Sequence, residues 1–177
     1  VVTMRSRSKA SLKRITNFLD QEEEIRNPQN AVVLDDVKGE IKFDGFSFAY
    51  PNSDSNVLKN VSVEIKAGEN VGIVGKIGSG KTTLVNTLLH LYNVEKGKVF
   101  IDGHDIMDCD IDSLRKAIGY VPQDNFLFSD KVKNNIAFSC ENLDMDRVYD
   151  AAKFADVHSN IEEFTEGYET VSGERGV

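Results

Sequence analysis

The chain has 177 residues, of which 40% are hydrophobic and 28% are charged, and a formal net charge of −8 at pH 7. That length and composition fit a globular domain with its own hydrophobic core. The acidic balance argues against a nucleic-acid partner, because no overall basic excess is available to displace counterions from a phosphate backbone. No apolar run approaches the ~20 residues of a membrane-spanning helix.

The cysteines and histidines give no indication of a metal centre. Cys109 and Cys140 are too far apart for a C-x-x-C pair and are interpreted as free thiols in a reducing compartment. The histidines, which are His90, His104 and His158, show no ligand spacing, so we assign them ordinary surface or core roles.

The N-terminal region up to residue 26 is predicted to be partly helical, because apolar residues recur at helical spacing at Leu12, Ile15, Phe18 and Leu19. A basic, serine-containing front precedes an acidic back. This pattern fits the cytoplasmic end of a membrane helix, a solvated amphipathic helix or an organelle transit peptide. The polar stretch 27–30 breaks the pattern and is predicted to be a linker.

Two strands are predicted next. Residues 40–50 alternate well enough for a strand, with Phe46, Phe48 and Tyr50 on one face. A short polar turn leads to a second strand over 57–65. The front of the domain is therefore predicted to be a β-rich meander that feeds one α/β unit.

The dominant motif is Gly75-Lys76-Ile77-Gly78-Ser79-Gly80-Lys81-Thr82, which has the G-x-x-x-x-G-K-T spacing of a phosphate-binding P-loop. It follows the apolar stretch 71–74, which is predicted to be a strand, and precedes a predicted apolar helix over 84–89. This context of strand, loop and helix separates the motif from a flexible glycine loop with a surface lysine.

Each residue type in the motif has a physical reason. Gly75, Gly78 and Gly80 allow the backbone to turn tightly and to approach an anion. The main-chain amides from Gly78 onward, with the positive end of the following helix, form an anion cradle. Lys81 supplies a mobile positive charge for the β- and γ-phosphates, and Thr82 offers a hydroxyl ligand to Mg²⁺.

A strand, a turn and a capped helix are predicted to follow the P-loop helix. Residues 98–101 are predicted to be a strand that ends in a hairpin turn at Asp102 and Gly103. Asp112 is predicted to cap a short helix over 113–117.

The chain then changes character near residue 125. Residues 118–121 are predicted to be the last strand. Residues 131–165 are predicted to be helical, with Asp144 or Asp146 as a helix start. The switch from strands to helices indicates a subdomain boundary.

A P-loop enzyme usually carries a second, acidic site at the end of an apolar strand. Asp35 has such a strand before it but precedes the P-loop, and Asp102 follows the P-loop but suits a hairpin turn better. The Asn-Lys-x-Asp signature of GTPases is absent from the sequence. These residues leave open a stand-alone P-loop nucleotide-binding module or small kinase that relies on Asp102.

The residues taken together resemble the nucleotide-binding domain of ABC transporters, specifically the exporter type found in multidrug and lipid exporter-like half transporters. The resemblance covers about residues 40–177. Besides the P-loop, four segments match in order: Tyr50 at the end of its strand, Gln123 after Tyr120-Val121-Pro122, residues 126–136 and residues 167–176.

The resemblance implies ATP and Mg²⁺ as ligands. Tyr50 would stack on adenine and Val57 would pack near the base. Ser79, with the P-loop glycines and Lys81, would hold the β- and γ-phosphates. Thr83 would reach the α-phosphate.

The same resemblance implies a metal shell and coupling residues. Thr82 and Gln123 would contact Mg²⁺, and Gln123 would also reach the attacking water and sense the membrane domain. Glu174 and Arg175, in a segment similar to the exporter x-loop, would contact the transport domain. The implied partners are the transmembrane domain of the same polypeptide and a second nucleotide-binding domain, at the cytoplasmic face of a bacterial plasma membrane.

The sequence departs from the family in what it omits. The signature Leu-Ser-Gly-Gly-Gln, the acidic strand with its catalytic glutamate and the switch histidine follow the x-loop in that family, and this sequence holds none of them. We therefore expect a piece of a longer protein, starting at Val1 and ending at Val177, that contains no catalytic residue. We also expect no ATPase activity by itself, a weakened sheet, and weak or no ATP affinity.

The predicted fold class is α/β, a P-loop NTPase core with an antiparallel β subdomain and the start of an α-helical subdomain. A helical linker from the last transmembrane helix is expected over 1–30. The ATP-binding core and β subdomain are expected over 31–122, and the Q-loop and part of the helical subdomain, up to the x-loop, over 123–177. The expected function is the ATP-binding part of an exporter that couples ATP binding and hydrolysis to transport.

Overall fold

In the computed structural model, which describes residues 2–21, 23–124 and 126–173, the chain divides into two units between Gly119 and Tyr120. All the strands of the described residues lie in the first unit, and the second unit is helical. The sequence predicts the change from strands to helices near residue 125, and the division between the two units lies earlier, between residues 119 and 120.

A four-stranded antiparallel sheet organises the first unit. Its strands are β1 (Ile41–Phe48), β2 (Leu58–Ile65), β3 (Val99–Ile101) and β4 (His104–Asp105), in the order β2-β1-β3-β4. The strands predicted from residue 40, from residue 57 and from residue 98 are thereby confirmed. The hairpin turn is also confirmed, because Asp102 and Gly103 have φ values of 47° and 79°, the left-handed values of a tight two-residue hairpin.

Three phenylalanines of β1 form the centre of the core. Phe43, Phe46 and Phe48 are 4%, 0% and 6% exposed, although strict alternation would place the first two on opposite faces. The pairing with β2 shifts register between Phe43 and Phe46, where Gly45 has a φ of 56°. This bulge inserts the extra residue that returns all three rings to one face. Tyr50 packs against the same cluster, which confirms the predicted common face.

The described residues of the first unit also form three α-helices, α1 (Val2–Leu19), α2 (Lys81–Leu88) and α3 (Ile111–Lys116). The predicted N-terminal helix and the predicted helix after the P-loop are confirmed as α1 and α2. The apolar side chains of α1 are more than half exposed at Leu12, Ile15, Phe18 and Leu19. Within the described ranges, no helix is both long enough and apolar enough to cross a membrane.

The residue that caps α3 is Asp110, and the prediction of Asp112 was wrong. Asp110 has an extended backbone, and its Oδ1 accepts a hydrogen bond from Ser113 N at 2.8 Å. That bond is the main cause that holds the pKa of Asp110 below its ordinary value. Asp112 lies in the first turn, where its charge still favours the helix N-terminus. Both aspartates are chemically suited to a cap, and the backbone conformation decides between them.

Two predicted strands, 71–74 and 118–121, are not strands in the part of the chain that the structure describes. A strand needs a hydrogen-bonded neighbour, and neither stretch pairs with a described segment. Val71 and Val74 are 51% and 97% exposed. Residues 71–74 form one wall of an apolar groove of about 500 Å³, whose other walls come from β1, β2 and α2.

The second unit consists of α4 (Val132–Ile136), α5 (Met145–Phe154) and α6 (His158–Glu162), followed by a 3₁₀ turn, Gly167–Glu169. Its helical character confirms the prediction for 131–165. Asp144 starts α5 by accepting a hydrogen bond from Asp146 N at 3.0 Å. A small core buries the side chains of Val148, Ala152, Ile161 and Tyr168.

The two free thiols lie in opposite environments. Cys109 is fully buried, its Sγ donates to Asp105 O at 3.2 Å, and burial raises the pKa of its thiol to about 11. Cys140 is exposed.

Because the thiolate is the reactive species, we expect the exposed Cys140 thiol to react rapidly with an aromatic disulfide reagent, and the buried Cys109 thiol to react only on unfolding. Cys140→Ser should abolish the rapid phase and Cys109→Ser should preserve it, and the reverse pattern would contradict this prediction.

A buried histidine, His90, follows α2 and is 1% exposed. Its Nε2 lies 3.4 Å from Asn93 Oδ1, and its Nδ1 has no hydrogen-bond partner among the described residues. Arg115 donates to the carbonyl oxygen of His90 at 2.9 Å. Burial, followed by the charge of Arg115, lowers the pKa of His90 from its ordinary 6.5, against the opposing effects of Asn93 and Asp105.

Acid is therefore expected to destabilise the first unit through His90. Since the pKa of His90 is lower in the folded than in the unfolded chain, the unfolded chain binds more protons below pH 6.5. This contribution to the free energy of unfolding is complete above pH 6.5 and is lost as the pH falls from 6.5 toward the folded pKa. Urea unfolding at a series of pH values should show a shallower decline for His90→Asn than for His104→Asn, an exposed control. Equal declines in both variants would contradict this role.

Candidate nucleotide site

The P-loop forms a tight turn that ends at the first residue of α2. Gly78 and Gly80 have φ values of 79° and 88°, which side chains other than glycine adopt only with strain. Gly80 is the residue before the helix, and α2 begins at Lys81. The turn is closed by a hydrogen bond from Ser79 N to Lys76 O at 3.2 Å. The first amides of α2 thus face the end of a loop that can accept an anion.

The ammonium group of Lys81 lies over the same loop. Its Nζ donates to the carbonyl oxygens of Gly75 and Lys76, at 2.9 Å each. Both partners are neutral, so a phosphate oxygen would be a stronger acceptor for this charge. The geometry holds the lysine where an anion in the loop would meet it.

Close packing fixes the two ends of the loop. A Cβ added at Gly75 would lie 2.6 Å from Ser79 Oγ, and one added at Gly80 would lie 2.8 Å from Leu58 Cδ2 and 3.2 Å from Val57 Cγ1. The structure therefore places Val57, predicted from the resemblance to lie near the base, against the glycine that starts the P-loop helix.

Tyr50 and Thr83 are brought together across 33 positions of sequence, with 2.7 Å between the phenol oxygen and Thr83 Oγ1. The Tyr50 ring packs edge-on against Phe48 and Tyr92, with centroid distances of 5.3 Å and 5.2 Å. Thr83 is 5% exposed, whereas the neighbouring Thr82 is exposed. The predicted base residue and the predicted α-phosphate residue are thus in direct contact.

The remaining predicted residues are not part of this cluster of the first unit. Gln123 lies in the second unit, where it is exposed in a bend. Glu174 and Arg175 lie outside the described residues. Their roles stay predictions from the resemblance.

The acidic residue on which a stand-alone P-loop enzyme would rely is engaged elsewhere. The carboxylate of Asp102 accepts hydrogen bonds from Lys38 N at 2.6 Å and from Glu40 N at 2.8 Å. It fastens the β3–β4 hairpin to the preceding segment, which is a structural role. Among the residues described, no group of three or more His, Cys, Asp or Glu side chains is arranged to hold a metal ion.

Sequence reasoning missed a polar clasp in the second unit. Glu169 in the 3₁₀ turn pairs with both Lys131 and Lys133 at the start of α4, and these bonds lower the pKa of Glu169. Lys131 also forms an antiparallel bridge with Val171. Glu169 is 38 positions from Lys131 and 36 positions from Lys133 in the sequence. No local sequence pattern could therefore have predicted these pairs. The clasp holds the first part of the segment 167–176 against the start of α4.

An aromatic cluster is exposed in the same unit. Phe126, Phe128 and Phe138 are 64%, 44% and 67% exposed. The ring centroids of Phe126 and Phe128 are 5.0 Å apart, and those of Phe128 and Phe138 are 4.4 Å apart. Contiguous exposed aromatic rings are typical of a surface that binds another protein.

The first unit holds a glycine-rich turn at the start of a helix, a lysine folded over that turn, and a tyrosine that contacts the first turn of the helix. These features define a P-loop nucleotide-binding domain. A family model described as ABC transporter matches residues 58–174. The match exceeds half of the chain, and the chain belongs to the ABC transporter family. The predicted family and fold class are confirmed.

Relatives and a solved structure agree with this assignment. The chain is 41% identical over 172 residues to the uncharacterized ABC transporter ATP-binding protein YfiB of Bacillus subtilis, covering 97% of the chain and 30% of that protein. It is 41% identical over 167 residues to an ATP-dependent lipid A-core flippase of Syntrophus aciditrophicus, covering 94% and 28%. A bacterial Atm1-family ABC exporter with ATP bound matches with a TM-score of 0.86 and 34% identity, covering 97% of this chain and 30% of that one. The chain thus spans about 30% of the length of these relatives.

Proposed function

We propose that this chain is the ATP-binding part of an ABC exporter, in which ATP binding and hydrolysis drive export of a substrate across a membrane. The observation that carries the proposal is the position of Lys81 Nζ over the carbonyl oxygens of the P-loop at 2.9 Å, beside the start of α2. The similarity to an ATP-dependent lipid A-core flippase supports an ATP-driven transport function. The 34% identical solved exporter with ATP bound supports ATP as the nucleotide.

In the proposed complex the P-loop binds the phosphates. Lys81 exchanges its two carbonyl acceptors for β- and γ-phosphate oxygens, and the amides from Gly78 onward bind the same groups. Thr83 contacts the α-phosphate, and Tyr50 with Val57 binds the adenine. Binding must break the two existing bonds of Lys81, which lowers the net affinity of the chain for ATP.

Mg²⁺ fits the donors that the first unit offers. The exposed hydroxyl of Thr82 is a hard oxygen ligand at the start of α2, and Mg²⁺ prefers a few protein oxygens together with phosphates and water. When bound, the ion would neutralise phosphate charge. Thr82 would hold the ion at the start of α2, and Gln123, a residue of the second unit, is a metal-shell residue only in what the resemblance implies.

The proposed partners are a transmembrane domain of the same polypeptide and a second nucleotide-binding domain, at the cytoplasmic face of a bacterial plasma membrane. The exposed rings of Phe126, Phe128 and Phe138 suit a docking surface for the transmembrane domain. Glu174 and Arg175, which follow the clasped segment, are proposed to contact the same partner.

The proposal is tested by titrating the isotope-labelled chain with MgATP and following its amide resonances. We expect weak, saturable shifts at Gly78, Gly80 and Lys81, and weaker ones with MgAMP, which lacks the β- and γ-phosphates. The sequence leaves weak or no affinity open, and the preformed P-loop favours weak binding. Absence of shifts in the P-loop at millimolar MgATP, in a chain shown to be folded, would therefore contradict the proposal.

Turnover is expected to be absent in this chain by itself. Asp102 is engaged with backbone amides, and the family's catalytic glutamate and signature are not in the sequence. The rate at which the wild-type chain releases phosphate from MgATP should not exceed the rate for the Lys81→Ala variant prepared in the same way. Activity that survives purification and disappears in Lys81→Ala would contradict this prediction.

A further inference from the structure

The Tyr50 hydroxyl has a partner that base stacking does not require. Stacking on a base uses the face of an aromatic ring, and a phenylalanine ring would serve it. Here the phenol oxygen lies 2.7 Å from the Thr83 hydroxyl, in a partly buried environment. Because buried hydroxyl groups are costly to leave unpaired, this contact fixes both side chains.

The aromatic neighbours of Tyr50 hold its ring in place. Phe48 and Tyr92 contact the ring edge-on, at interplanar angles of 81° and 80°, and Phe48 is 6% exposed within the core. Tyr50, two residues after the end of β1, reaches Thr83, which lies in the first turn of α2. The hydrogen bond joins the segment after β1 to the first turn of the helix that carries Lys81.

Proton counting gives this bond a direction when a phosphate is present. The threonine hydroxyl has a single O–H and two lone pairs, and so does the phenol. If Thr83 donates its proton to a phosphate oxygen, it can only accept from Tyr50. The phenol then donates to Thr83 Oγ1, which leaves the threonine proton directed to the phosphate.

We propose that the Tyr50 hydroxyl is a positioning group for phosphate binding, which orients the Thr83 hydroxyl as a donor to the bound polyphosphate independently of the base. The inference rests on the proposed nucleotide function and extends it. It assigns different roles to two parts of Tyr50: the ring stacks on the base, and the hydroxyl orients Thr83 toward the phosphate chain.

A ligand without a base distinguishes the two roles. Affinities for MgATP and for magnesium tripolyphosphate are measured by the same amide titration in the wild-type chain, Tyr50→Phe, Thr83→Val and the double variant. We expect Tyr50→Phe to lower the affinities for both ligands by the same factor, about three- to tenfold for the loss of one hydrogen bond. Thr83→Val should weaken both at least as much, and the double variant should be no weaker than Thr83→Val.

Matched variants separate this role from a general loss of structure. Thr83→Ser keeps a hydroxyl at the same position and should retain sensitivity to Tyr50→Phe. Tyr92→Phe removes the neighbouring phenol and should leave both affinities within twofold, roughly the scatter of such measurements. Thermal unfolding of each variant shows whether it is folded.

Four results would overturn the inference. In the first, Tyr50→Phe lowers the affinity for MgATP and leaves the affinity for tripolyphosphate unchanged, which would mean that the hydroxyl acts through the base. In the second, the effects of Tyr50→Phe and Thr83→Val add in full in the double variant. In the third, the wild-type chain binds neither ligand, which overturns the proposed function as well. Binding of both ligands with no effect of Tyr50→Phe overturns only the positioning role.

Discussion

Replacing Lys81 with alanine is expected to weaken MgATP binding by about ten- to a hundredfold, the largest loss for a single side chain at this site. A hydrogen bond to a charged group contributes about 1.5–3 kcal/mol, and each 1.4 kcal/mol is about tenfold in affinity. The amide titration described above measures the change. Because the bonds of Lys81 Nζ within the described part of the chain are to loop carbonyl oxygens, the substitution should cost little folding stability.

Lys76→Ala is the matched control for this prediction. Lys76 lies in the same loop and carries the same charge, but its side chain is exposed and its backbone carbonyl is what Lys81 contacts. Both variants change the net charge equally, so nonspecific attraction of the nucleotide falls equally. Equal losses of affinity in the two variants would show that general electrostatics, and not the position of Lys81, accounts for binding.

The parts of the site that the sequence predicted are those fixed by local chemistry. The P-loop spans eight consecutive residues, and left-handed φ values at Gly78 and Gly80 follow from glycine alone. The helix that follows needs only its own residues to begin at Lys81. The hairpin at Asp102 and Gly103 is local in the same sense. The hairpin and the presence of a helix after the P-loop were predicted correctly, although α2 begins at Lys81, before the predicted start at Leu84.

The features that sequence reasoning missed depend on distant partners. The stretch 71–74 has the composition of a buried strand, yet a strand forms only against a neighbour, and no described segment pairs with it. The bond between Tyr50 and Thr83 and the pairing of Glu169 with Lys131 each join residues more than 30 positions apart. Periodicity reports which face of an element is apolar, but it does not report which side chains meet across elements.

The same limit applied to the start of α3 at a smaller scale. Asp110 and Asp112 offer identical carboxylates two positions apart, and the prediction chose the wrong one. Asp110 is further fixed by Asn27, whose amide donates to its Oδ2 at 2.7 Å from 83 positions away. That contact also attaches the segment after α1 to the first unit, since Asn27 Oδ1 accepts from Ile111 N at 2.8 Å. The contacts of Asn27 thus add a tertiary restraint to the backbone conformation that makes Asp110 the cap.

Gly80→Ala is expected to produce the largest loss of stability in the P-loop. The left-handed backbone at Gly80, with a φ of 88°, costs a non-glycine residue roughly 1–2 kcal/mol. The added Cβ would also lie 2.8 Å from Leu58 Cδ2, and overpacking of this kind costs about 1–3 kcal/mol. The sum of about 2–5 kcal/mol should lower the midpoint of thermal unfolding by roughly 5–15 °C for a chain of this size.

Gly78→Ala separates these two causes. Gly78 has a similar φ of 79°, but a Cβ added there meets nothing within 4 Å. Gly78→Ala should therefore lower the free energy of unfolding only by the cost of the left-handed backbone, roughly 1–2 kcal/mol. Adding Leu58→Val to Gly80→Ala removes Leu58 Cδ2, the nearest atom to the new Cβ. The double variant should therefore lose less free energy of unfolding than the sum of the losses in the two single variants. Equal unfolding midpoints for Gly78→Ala and Gly80→Ala, measured by calorimetry, would mean that Leu58 does not constrain the start of α2. The contact between β2 and the P-loop would then have no part in holding the phosphate cradle.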